Sequence, residues 1–152
     1  MNDIERIIQK IKKYCSTQER CKYDIIRKMS KYSITEKDKK KIFEILINQD
    51  FLNEIRFTNS FVRGKFKINK WGKKKIVQSL IQKNISSSII NESLKEIDHK
   101  QYLFTIDKLF KKKQKTINSL DKKIQKIKIV NYLLSKGYES EIIWDRIKHL
   151  KY

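Results

Sequence analysis

The residues able to do chemistry in this chain are basic and aromatic rather than nucleophilic. From Arg63 to Lys75 stand Arg63, Lys65, Lys67, Lys70, Lys73, Lys74 and Lys75, with no Asp or Glu among them. Phe66 and Trp71 are interleaved. Cationic side chains without neighbouring acids suit phosphates, and aromatic rings beside them suit stacked bases. Trp71, just ahead of Gly72, suits equally well an anchor between packed units. A second basic run, Lys111, Lys112, Lys113 and Lys115, closes a helical pattern, where cations also favour the helix dipole.

Catalysis finds no comparable support. The chain carries no P-loop, no G-x-S-x-G and no H-E-x-x-H. Acids such as Asp3, Glu5, Glu139 and Glu141 fall on faces expected to be solvated, and His149 reads as an edge residue rather than a placed general base. Cys15 and Cys21 would lie on different faces of one helix and fit no common zinc pattern; only His99 and His149 could join them. They read as free thiols packed as small apolar residues. No catalytic residue, metal site or cofactor is expected.

The 152 residues hold 37 Lys+Arg against 17 Asp+Glu, a formal charge of +20. Such a charge pushes a compact state apart unless an anionic partner or an extended shape relieves it. Nucleic acid is the first candidate, an acidic protein surface the second and an anionic membrane a poor third. An AT-rich codon supply would also raise Lys and Asn and remove Pro, so the informative feature is the missing acids of 63–75. No apolar run approaches the ~18 residues of a membrane span. The start, MNDIERIIQK, has acids and no apolar core, unlike a signal peptide. A cytoplasmic protein is expected.

Proline is absent and glycine occurs only at 64, 72 and 137, which disfavours hairpins. Apolar residues recur at three and four, the period of helices. Starts are expected at caps: Ser16 with Glu19 as a capping box, then Thr35, Asn53, Ser86 and Ser119. Stops are expected at Asn84 and Gly137, which tolerate the left-handed conformation. The spacing predicts helices over 2–14, 17–31, 35–49, 53–68, 72–83, 86–97, 98–113, 119–136 and 139–150, with ends good to ~2–4 residues. Ile76, Leu80, Lys83 and Ile89 match Ile129, Leu133, Lys136 and Ile142 at a constant offset. The segment IIRKMSKYSITEKDKKKIFEIL repeats the order with a longer joint. The expected fold is all-α: three tandem three-helix repeats, 1–52, 53–97 and 98–152, stacked into an elongated, curved body. Within 53–76, Phe57, Phe61 and Val62 belong to the core, and 63–75 form an exposed basic edge.

LNEIRFTNSFVRGKFKINKWGKKKI, with the following SLIQKNI, resembles the signature of the RecX family of recombination regulators. The matching places are Arg56-Phe57, Phe61-Val62-Arg63, Gly72, Lys75-Ile76 and Leu80 to Ile85. YCSTQERCKYDIIRKM and LLSKGYESEIIWDRI look like the family's first and last units, so the resemblance covers nearly the whole chain. Lys73 stands where many members have Pro, Asn84 where they have Gly, and Glu54 is the one acid where two are common. The resemblance implies a non-enzymatic protein that binds the RecA recombinase filament on single-stranded DNA, lies in its helical groove and modulates, mainly by inhibition, ATP hydrolysis, strand exchange and co-protease activity. It makes Arg63, Lys65, Lys67, Lys70, Trp71, Lys73, Lys74 and Lys75, with Lys111, Lys112, Lys113 and Lys115, the candidate contacts to filament and DNA. Single- and double-stranded DNA are the expected nucleic acids, no membrane is expected, and the protein should be a monomer. The reading from residues alone is a stand-alone, sequence-independent nucleic-acid binder.

Overall fold

The computed structural model describes residues 2–118 and 120–150. Among them are nine helices and no strand: α1 (Asp3–Thr17), α2 (Lys22–Met29), α3 (Glu36–Asn48), α4 (Glu54–Lys67), α5 (Lys73–Gln82), α6 (Ser87–Leu94), α7 (His99–Gln114), α8 (Lys122–Ser135) and α9 (Ser140–His149). The side-chain oxygens of Thr35, Asn53 and Ser86 accept the amides of Asp38, Arg56 and Ile89, as their positions predict. Asn84 and Gly137 take left-handed conformations, with φ of 59° and 97°. Ile85 and Tyr138 then donate back to the carbonyls of Leu80 and Leu133, which closes each helix.

Two starts differ from expectation. Ser16 does not open a helix; it lies inside α1, and its hydroxyl donates to the Lys12 carbonyl at 2.8 Å. A serine one turn beyond a free carbonyl can bond backward as readily as forward. The next helix begins at Lys22, with Asp24 Oδ2 accepting the Cys21 amide at 3.1 Å. Ser119 falls outside the described residues, and α8 is capped by Asp121, which accepts the Lys123 amide.

Helices pack in threes. α1 meets α2 and α3; α4, α5 and α6 meet one another; so do α7, α8 and α9. Ile76 and Leu80 of α5, and Ile129 and Leu133 of α8, are all fully buried, as the repeat requires. Their shared spacing of four puts each pair on one core-facing stripe. The apolar interior forms two bodies. Ile11, Ile25, Met29, Ile42 and Leu46 make a small core among α1–α3. The larger core runs without a break through α4–α9, from Phe57 and Val62 to Ile143 and Ile147. Cys15 belongs to the small core and Cys21 to the large one, both as free thiols. Burial raises both thiol pKa values, that of Cys21 to about 11. No helix of the described residues is long and apolar enough to cross a membrane.

Candidate nucleic-acid interface

The basic stretch 63–75 spans the end of α4, a short joint and the first turn of α5. Its geometry is set by a backbone contact with the α8–α9 turn. The Gly72 amide donates to the Lys136 carbonyl at 2.7 Å, and the Lys74 amide to Gly137 at 2.9 Å. The Lys73 amide donates to the Tyr102 hydroxyl at 2.9 Å, and that hydroxyl donates in turn to Glu139. Burial, and then this bond to Glu139, raise the Tyr102 pKa, so the phenol stays protonated. Tyr138 donates to the Lys70 carbonyl at 2.7 Å, and Lys136 Nζ to that of Asn69 at 2.7 Å. Gly72 has ordinary extended dihedrals, so no turn demands a glycine there. What demands it is space: a Cβ would sit 2.3 Å from the carbonyl carbon of Gly137.

The amides of Gly72, Lys73 and Lys74 at the start of α5 are thus consumed inside the protein and withdrawn from an anion. Lys73, Lys74 and Lys75 occupy that first turn without an acid, against the positive end of the helix dipole. Their mutual repulsion is relieved when negative charge arrives.

The candidate residues fall into three groups. Lys65 and Lys75 place their ammonium groups 4.7 and 4.6 Å from the Trp71 ring centre, Lys73 lies 4.9 Å from that of Tyr102, and Lys113 lies 4.9 Å from that of Tyr132. These are cation–π contacts, which order a lysine without neutralising it. Arg63 faces Glu96 at 3.5 Å in an exposed pair worth little. Lys67, Lys70, Lys74, Lys111, Lys112 and Lys115 are exposed and form no ion pair among the described residues. Trp71 is half-buried against the large core, so it serves as an anchor and still shows part of its ring beside two lysines. Phe66 is buried and packs at 5.7 Å on Tyr102, so it serves the core.

Lys136 lies within electrostatic reach of both basic runs. Its pKa is pushed down by burial and then by the charges of Lys75 and Lys112. One ammonium therefore feels both the first turn of α5 and the last turn of α7, which lie far apart in sequence. Lys136 was not among the candidate contacts. Its match with Lys83 in the repeat marked its place in the fold, but nothing in its own surroundings advertised its position between two basic runs.

Residues 53–94 match the family model of the second three-helix domain of RecX, and residues 101–146 that of the third. The chain belongs to the RecX family. It is 34% identical over 110 residues to the regulatory protein RecX of Clostridium botulinum, covering 71% of this chain and 51% of that one. It is 29% identical over 139 residues to the regulatory protein RecX of Streptococcus agalactiae, covering 91% and 53% respectively. The chain thus spans about half the length of the curated RecX relatives it matches. Among solved structures it is similar to RecX from Lactobacillus salivarius, with a TM-score of 0.86 and 26% identity over 98% of this chain and 97% of that one. A second crystal structure of a regulatory protein RecX shares the fold at a TM-score of 0.82 and 23% identity, over 93% and 71% of the two chains. The family is named for a regulatory protein, and the all-helical repeat body is the fold of its solved members.

Proposed function

We propose that this chain is a non-enzymatic regulator that binds the RecA–single-stranded DNA filament in its helical groove and restrains ATP hydrolysis, strand exchange and co-protease activity. The observation that carries the reading is the acid-free basic edge of residues 63–75, with three lysines in the first turn of α5, on a body of the RecX family. A filament groove lined with DNA offers dense negative charge, and clustered lysines that lack acids are suited to it. The protein acts as a monomer in the cytoplasm, on filaments formed on single-stranded DNA, with weaker engagement of free single- and double-stranded DNA. Its working units divide at 52/53 and 97/98, a division supported by the packing of the helices in threes.

The test is RecA ATPase and strand exchange with and without the purified protein. Inhibition by sub-stoichiometric protein is expected. The variant with Lys67→Glu, Lys70→Glu and Lys74→Glu reverses exposed charges that form no ion pair among the described residues, and it should weaken both inhibition and DNA binding. Unchanged inhibition by that variant would remove the basic edge from the mechanism. Tight binding of free DNA with RecA activities untouched would leave a stand-alone nucleic-acid binder.

A further inference from the structure

The solvent side of α8 carries large apolar residues that the fold leaves uncovered. Ile129 and Leu133 face the core, whereas Ile124, Ile127 and Leu134 are 44%, 57% and 40% exposed. Asn131 is exposed between them. Positions 124, 127, 131 and 134 alternate steps of three and four, the spacing of a coiled-coil seam with asparagine at one of its a positions. Single exposed apolar residues need no explanation, but a seam in register along one helix does. α8 is apolar on two sides, and among the described residues only one side is covered.

Charge selects the occupant. Lys123 and Lys128 stand at the edges of the seam, and from Lys122 to Tyr138 the chain has no Asp or Glu. Beside the seam runs a groove lined by Lys113, Lys128, Asn131 and Tyr132, with Lys113 held over the Tyr132 ring. A second copy of this chain would set lysines against lysines along both edges, an arrangement that disfavours pairing. A helix with carboxylates at its edges meets the same lysines favourably. We propose that α8 is a docking face for an acidic amphipathic helix of another protein, seated on Ile124, Ile127 and Leu134 with its carboxylates toward Lys123 and Lys128. Asn131 fixes its register by pairing with a polar group on the incoming helix. The inference uses neither the 63–75 edge nor DNA, and shares only Lys113 with the filament reading.

The experiment is fluorescence anisotropy of the full chain with a labelled synthetic helix. The probe has Leu and Ile at its a and d positions, one Asn at an a position, and Glu at every e and g position. Binding is expected, with loss of about tenfold or more on Ile127→Ser combined with Leu134→Ser, as for removal of central apolar anchors. Lys128→Glu, an exposed charge change that spares the apolar seam, should weaken the same probe and admit one with Lys in place of Glu. No binding of the Glu probe, or equal binding by the double variant, overturns the proposal. So does probe binding that is lost on Lys67→Glu, Lys70→Glu and Lys74→Glu but kept in the double variant, because general charge attraction would then suffice. Concentration-dependent dimers of the chain alone, dissolved by Ile127→Ser with Leu134→Ser, would give the face to a second copy and overturn it as well.

Discussion

A methyl group added at Gly72 has nowhere to go, since the atoms it would meet at 2.3 to 2.4 Å are backbone atoms of Gly137 and Tyr138. Gly72→Ala should therefore cost about 1–3 kcal/mol in urea denaturation, the range for overpacking a tight contact. Gly64 supplies the contrast: it lies within α4 with nothing within 4 Å of a built Cβ, so Gly64→Ala should stabilise by up to about 1 kcal/mol. Asp24 carries a pH dependence. Burial favours its neutral form, but the bonds from Lys83 at 2.7 Å and from Cys21 outweigh burial and hold its pKa below the usual range. The unfolded chain then takes up this proton at higher pH than the folded one. The contribution is therefore complete above the ordinary carboxylate range and is lost as pH falls through the lowered folded value. Wild-type stability should drop more steeply than that of Asp24→Asn below about pH 4, measured by denaturation across an acid series. At this scale the sequence was legible where one residue type has one use. Asn84 and Gly137 were placed correctly, whereas Lys70, with φ of 59°, was not, because lysine rarely signals a left-handed turn.

The helices themselves were readable from spacing, because a stripe repeating at three and four must be buried along one side. Their joints were not. Glu19, expected to cap a helix with Ser16, instead bonds Arg56 at 2.6 Å, and Arg56 also reaches Asp50 at 2.9 Å. No local pattern could announce that Glu19 pairs with a residue as distant in the chain as Arg56. Together with Lys83–Asp24, the Lys22 amide to Glu54 and the seating of Cys21 and Tyr23 against the large core, these pairs hold α1–α3 to the rest. Side-chain pairs of this kind are weaker fastenings than a shared core, and those that are exposed add little. Hydrogen exchange should accordingly release α1–α3 before α4–α9, and moderate salt should widen the gap. Uniform protection across the helices would show the small core to be as durable as the large one.

Over the whole molecule the candidate site was visible as composition but not as shape. The missing acids of 63–75 could be read directly; the contact of that edge with the α8–α9 turn required the fold. If about six phosphates are neutralised, DNA affinity should fall by roughly 10³ between about 50 and 200 mM salt. The variant reversed at Lys67, Lys70 and Lys74 should show a slope shallower by about one for each of those lysines that meets a phosphate. The contact between the first turn of α5 and the α8–α9 turn bears on how such binding can occur. It is made backbone to backbone around Gly72 and Gly137, and Tyr102, Lys136 and Tyr138 bond the backbone on either side of it. Mechanically it is a weld, and the backbone that carries the lysines on either side of it keeps a fixed pitch. A ligand must arrive with matching charge spacing or bend to acquire it, so the protein works as a gauge that tests the form of a polyanion rather than a glove that adapts to one.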